Sequence, residues 1–226
     1  MSLATYTDVA ELYRSRGADV NPYRPLFTGD VLPEVSIPGL PGPGMAVVVA
    51  HPCSFRGAGG RLNDRVLVAR VKPVNKEGRS VWEKGFFDRM PLPDVDGPGY
   101  WAAFLDEIGL ASSQELARSE RLACLSDFGI NMLQQRLTCH FTRAQVPTHI
   151  FNDAFSHTYE ESELLEDWTS ALCEAGSAMG DAERSFDQFM GEGAPSRRKR
   201  LEAPEQRSAV RRECRRQAAA LVRELV

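Results

Sequence analysis

GMAVVVAHPCSFRGAGGRLNDRVLVARVKPV occupies Gly44–Val74, and its two valine-rich runs decide the fold. Each run is too short for an independent helix, is rich in β-branched residues and is bounded by Gly, Pro and Asn, so each reads as a strand. Consecutive strands joined by a connection of this length predict an antiparallel pair, in which the end of one run faces the start of the other. At roughly 3.3 Å per residue, His51 and Lys72 then fall about 20 Å apart, at opposite ends of the pair. The residues that gather around the connection are His51, Cys53, Ser54, Arg56, Arg61 and Arg65. With the amides of Gly57, Ala58, Gly59 and Gly60 they have the chemistry of a phosphate site, or of a solvated loop. GAGG is neither a Walker nor a dinucleotide loop, because the spacing differs and a strand follows it.

Working outward, Phe27–Val35 (FTGDVLPEV) and Ser80–Phe87 (SVWEKGFF) read as further strands. The proline-glycine run Ser36–Gly44 is a loop. Asp8 predicts a helix cap, with the helix reaching about Arg16. Trp101–Leu110 (WAAFLDEIGL) and Ser112–Leu122 read as short helices or turns, and Leu122–Ser126 as one more strand. Asp127–Arg143 is a helix with Ile130, Leu133, Leu137 and Phe141 on one side. Thr148–Phe155 and Glu161–Gly176 follow as two helices, with Ser156 capping the second. Gly191–Gln206 reads as a linker, and Pro204 opens a last helix whose Val210, Cys214, Ala218, Leu221 and Leu225 align.

These elements predict an α+β protein: a small curled β-barrel, then helices, then a basic C-terminal helix. The expected divisions are residues 1–25, an N-terminal helix and approach segment; 26–155, the barrel; 156–190, an acidic helical appendage; and 191–226, linker and basic helix.

The 226 residues carry 27 Lys/Arg and 31 Asp/Glu, a net charge of −4. That excludes a uniformly basic nucleic-acid binder, yet the charge is segregated. Arg56–Arg89 holds nine basic and four acidic residues, Asp153–Glu192 eleven acidic and one basic, and Ser196–Val226 ten basic and four acidic. The basic tail, Arg197, Arg198, Lys199 and Arg200 with the arginines after it, has four readings. It docks by its apolar stripe, contacts nucleic-acid phosphates, touches an anionic membrane, or associates with the acidic stretch. Its apolar side is too poor in Trp and Phe for a good membrane-surface helix.

Five cysteines without CxxC spacing, no N-terminal apolar segment and no long apolar run predict a soluble, reduced, cytoplasmic chain without a membrane partner. No cofactor is expected. His51-x-Cys53 with Cys139-His140 makes a poor zinc set, since adjacent residues point apart. His149, Asp153, His157 and Glu161 would share a face only if their helix ran unbroken. No metal is expected, and Ser54 has no nucleophile elbow around it.

Gly29-Asp30-Val31 opening the first barrel strand, the proline-glycine loop, the valine-rich second strand and a third strand ending near Lys72 resemble the MazF/PemK toxin family. FFDRMPLPDV (Phe86–Val95) and LACLSDFGINMLQQRLTCHFTRAQVP (Leu122–Pro147) are similar to that family's later strands and helix. The resemblance spans about residues 26–155. It implies an SH3-like barrel, commonly a homodimer, metal-independent endoribonuclease activity, RNA or DNA binding and an antitoxin partner. The family's Arg at the start of the second strand falls here at Pro43, Gly44 and Met45, and its Thr or Ser at the end of the third falls at Lys72 and Pro73. Neither pair of residue types matches. Lys72 could supply the cation and His51 the proton transfer, but their separation argues against one shared site. The expected nucleic-acid contacts are therefore Arg56, Arg61, Arg65, Lys72 and Arg197–Arg200. The alternative is a non-enzymatic interaction or regulatory module built on the basic C-terminal helix.

Overall fold

In the computed structural model, which describes residues 2–57 and 60–225, the chain forms two compact units. The first comprises residues up to 21, 26–55 and 63–154, and the second 22–25, 56–62 and 155 onward.

The first unit is built on seven antiparallel strands: β1 (Tyr13–Arg16), β2 (Asp30–Val35), β3 (Gly44–Val48), β4 (Arg65–Pro73), β5 (Arg89–Pro91), β6 (Trp101–Ser112) and β7 (Ala123–Leu125). Their order across the sheet is β1-β7-β2-β3-β4-β6-β5. The two valine-rich runs are β3 and β4, paired Ala46 to Arg70 and Val48 to Val68. Curling brings the sheet's edges together: Tyr13 Oη donates to Pro93 O at 2.9 Å and Arg16 Nη1 to Asp94 O at 3.2 Å. Val31, Val47, Ala69 and Ala103 are almost wholly buried. Asp30 of the GDV tripeptide is fully buried, and its Oδ2 accepts from Arg121 Nε at 2.8 Å and Phe27 N at 2.9 Å. A carboxylate without those donors would not be tolerated there.

Several expectations are corrected. The N-terminal helix is a 3₁₀ turn, Val9–Leu12, closed by a capping box between Asp8 and Glu11, after which the chain extends as β1. Ser80–Phe87 is not a strand. Arg79–Lys84 forms α2, the second helix after the short α1 (Pro52–Phe55), with an Arg79–Glu83 pair at 2.7 Å along it. Trp101–Leu110 is not helical but lies in the longest strand, β6, because β4 offers it a ladder from Arg65 to Pro73. The ladder shifts register between Ala69 and Arg70, so that Leu105, Asp106 and Glu107 form a bulge. The third helix, α3 (Ser113–Arg118), and α4 (Asp127–Thr142) complete the unit's helices. In α4, Ile130 and Leu133 are buried whereas Phe141 is 66% exposed, so the expected apolar side is buried only at its start.

A further correction concerns α5, which runs unbroken from Thr148 to Glu174. Ser156 caps nothing; its Oγ accepts from Arg207 Nη2 at 3.1 Å.

The second unit packs α5 from Phe155 onward with α6 (Met179–Gly191), α7 (Arg197–Leu201) and α8 (Pro204–Leu225). The expected linker thus contains a helix, α7, capped by Ser196. The unit's core is Leu164, Trp168, Leu172, Phe186, Phe189, Met190, Val210 and Cys214. Trp168 meets Phe186 edge-on at 5.7 Å and Phe189 at 5.2 Å. No described helix is long and apolar enough to cross a membrane.

Candidate nucleic-acid interface

Antiparallel partners share a face of the sheet, and residues two apart on one strand do as well. The registers therefore place Leu32, Ala46, Arg70, Phe104 and Arg89 in one row across β2, β3, β4, β6 and β5. Lys72 lies two residues along β4 on the same face, opposite Ala102. The row begins fully buried at Leu32 and Ala46 and becomes partly exposed at Phe104 and Arg89.

Two cations lie over the Phe104 ring, Lys72 Nζ at 4.4 Å and Arg89 Cζ at 4.7 Å from its centroid. Arg89 also lies 4.8 Å from the Phe86 ring, and Lys76 Nζ 5.8 Å from that of Tyr100. The bulge brings Glu107 onto Lys72, and Asp88 Oδ2 lies 3.5 Å from Arg89 Nε. Both cations keep exposure, 41% of the Lys72 side chain and 32% of Arg89, so an incoming anion can reach them. Cations held over π faces, one of them paired to a carboxylate that an anion can displace, suit phosphates and unstacked bases.

Arg70 has a different task. Its guanidinium lies on the backbone of Gly44, where a Cβ would sit 2.2 Å from Nη1, and Nη2 donates to Gly42 O at 2.9 Å. Gly44 is needed for that close approach. A cation from β4 thus stands beside the start of β3, but it is buried and engaged in holding the proline-glycine loop.

Behind the face, the fully buried Arg136 of α4 donates to four carbonyls: Phe86 and Arg89 through Nη1 at 3.1 and 3.0 Å, Ala4 and Trp82 through Nη2 at 3.0 Å each. It fixes the segment that presents Phe86 and Arg89. Burial pushes its guanidinium down to about 10, so it remains a cation at neutral pH.

The other expected site residues are scattered. His51 follows the far end of β3, where Val49 and Ala50 donate to Leu67 O, so it does not join Lys72. Its Nδ1 accepts from Cys53 N at 3.3 Å. Arg56, in the second unit, donates to Glu183 at 3.2 Å and Gly60 O at 3.3 Å, while Arg61 and Arg65 are exposed. Ala58 and Gly59 of the expected amide cradle lie outside the described residues.

The tail cations meet acids of their own unit. Arg197 contacts Glu192 and Glu213, Arg198 contacts Glu161 and Asp187, Lys199 contacts Glu202, and Arg200 contacts Glu213. Hydrogen bonds from Arg200 and Arg197 hold the Glu213 carboxyl below the usual range, and Arg211 does the same to Glu160. Burial pushes the Cys214 thiol up to about 12, which leaves it without nucleophilic character. Among the described residues no three His, Cys, Asp or Glu side chains are placed to hold a metal ion.

Sequence reading isolated Lys72 but missed its companions. Arg70 was legible from parity alone, since Val66, Val68, Arg70 and Lys72 alternate along one strand. Phe104 was hidden because Trp101–Leu110 also fits a helical spacing. Comparison with known proteins adds no assignment: no protein-family model matches the chain, and no curated protein matches it significantly.

Proposed function

We propose that this chain is an RNA-binding protein of MazF/PemK-like type, with an SH3-like barrel, that holds single-stranded RNA without cutting it. The observation that carries the reading is the placement of Lys72 and Arg89 over the Phe104 ring on one partly exposed sheet face. Phosphate displaces Glu107 from Lys72 and meets the exposed part of Arg89, and a base stacks where the ring is released. Cutting is not proposed, because a ribose 2′-hydroxyl attack needs a positioned base, an acid and a cation free to meet the developing charge. Arg70 is engaged with Gly42, no hydroxyl stands at Lys72 or Pro73, and His51 lies at the other end of the pair.

The test is retention of a labelled single-stranded RNA by the whole protein in EDTA, with the RNA then examined for breaks. The expected result is binding that weakens with salt and leaves the strand intact. The K72A/R89A variant should flatten the dependence of log K on log salt by about 1.4, at roughly 0.7 for each phosphate no longer neutralised. Phe104→Leu should weaken binding by about 1–3 kcal/mol with the salt slope unchanged. RNA retained equally by all three proteins would refute the assigned surface. Products with cyclic phosphate ends would replace binding by nuclease action.

A further inference from the structure

Between α5 and α8 the second unit carries an open groove of about 480 Å³. Leu164, Trp168, Ala171, Ala218 and Val222 line it with apolar atoms. Asp167 stands on the α5 rim, and Arg215 and Arg223 stand on the α8 rim. The lining runs from Leu164 to Ala171 on one helix and from Cys214 to Arg223 on the other, about 10 and 14 Å at 1.5 Å per residue. That is the length of two to three helical turns. Both walls are helices, so the groove offers no strand edge to an extended peptide but does offer ridges for a third helix.

Charge selects the occupant. Most basic side chains of α7 and the first half of α8 are paired with acids, as Arg197, Arg198, Arg200 and Arg211 are. Arg212, Arg215, Arg216 and Arg223 are exposed and make no ion pair among the described residues. Of these, Arg215 and Arg223 line the groove, and against the one carboxylate of Asp167 they leave its lining net basic. We propose that this groove docks an acidic amphipathic helix of a partner protein, with the partner's apolar stripe on Ala171, Ala219 and Val222, above the buried Trp168, and its carboxylates along Arg215 and Arg223. The site goes beyond the RNA reading and stands without it, since its residues all belong to the second unit.

The experiment uses the whole protein and a fluorescein-labelled amphipathic helical peptide, with leucine at i, i+3, i+4 and i+7 and glutamate flanking the stripe. A matched peptide carries lysine in place of glutamate. Fluorescence anisotropy should show saturable binding of the glutamate peptide alone. R215E/R223E should weaken it about tenfold, and Ala219→Trp, which fills the groove from an exposed position, should abolish it. Hydrogen exchange on the bound wild-type protein should slow at residues 164–171 and 214–223. No saturable binding, equal binding of the lysine peptide, or binding that survives Ala219→Trp overturns the proposal. Sedimentation of the protein alone supplies a further check: self-association removed by Ala219→Trp would give the groove to a second copy, and overturns it as well.

Discussion

Glu107 and Lys72 have opposite expected effects on RNA, although they form one pair. On the proposed RNA-binding reading, Lys72→Ala removes a cation that would meet phosphate. Glu107→Gln removes the carboxylate that competes with phosphate, and should tighten binding up to about fivefold, the equivalent of a partly exposed ion pair. Filter binding at fixed salt checks the signs; a weakening in both variants would mean that the pair acts as a unit. Arg136 is the residue on which the face rests. Arg136→Met leaves the carbonyls of Ala4, Trp82, Phe86 and Arg89 without their donor and should cost about 3–5 kcal/mol in urea unfolding. Arg136→Lys cannot span four acceptors with one ammonium and should recover only part of that.

Elements of the sheet unit are set by close backbone approaches as much as by apolar pattern. Gly129 sits in the first turn of α4, where a Cβ would lie 2.4 Å from Leu12 O and 3.2 Å from Leu125 Cβ. Gly129→Ala should therefore lift the helix from β7 and the 3₁₀ turn, costing about 1–3 kcal/mol by thermal unfolding, although alanine is the better helix former. Gly109 in β6 is a second close approach of this kind, with a Cβ position 2.5 Å from Ile37 Cγ2 in the proline-glycine loop. The elements misread from sequence share a cause. Trp101, Leu105 and Ile108 have helical spacing, but a helix over Trp101–Leu110 would strip β4 of seven residues of ladder, Leu67 to Pro73. Propensity is worth tenths of a kcal/mol per residue, and orphaned backbone groups cost more. α2 is the converse: its β-favouring Val81 and Trp82 are held helical by the Arg79–Glu83 pair and by Arg136 on Trp82 O.

Across the whole molecule, the acid stretch and the basic tail read as separate charge blocks in the sequence meet as ion pairs inside the second unit. Glu160 and Glu213 titrate below the usual 4.5 because Arg211 and Arg200 donate to them. Their pairing contributes fully above that value and is lost as pH falls through the lowered folded values. Hydrogen-exchange protection in α8, taken relative to the intrinsic rate that itself slows with acid, should therefore fall below about pH 4.5, and the E160Q/E213Q protein should show a shallower change, with about 0.3–1 kcal/mol per pair at stake. An α8 whose protection ignores acid would refute the linkage. The antiparallel β3–β4 pair and the start of the α8 stripe, Val210, Cys214 and Ala218, were determined by sequence alone: short β-branched runs bounded by turn residues pair as strands buried on both faces, and apolar residues at period 3.6 share one helix face, although Leu225 at the end of that stripe is exposed. The continuity of α5, the strand at Trp101–Ser112, the Lys72–Phe104–Arg89 face and the pairing of the tail were decided by tertiary structure. Each depends on a partner distant in the chain, and a ladder or a charge is satisfied by what folding brings beside it, not by its neighbours in sequence.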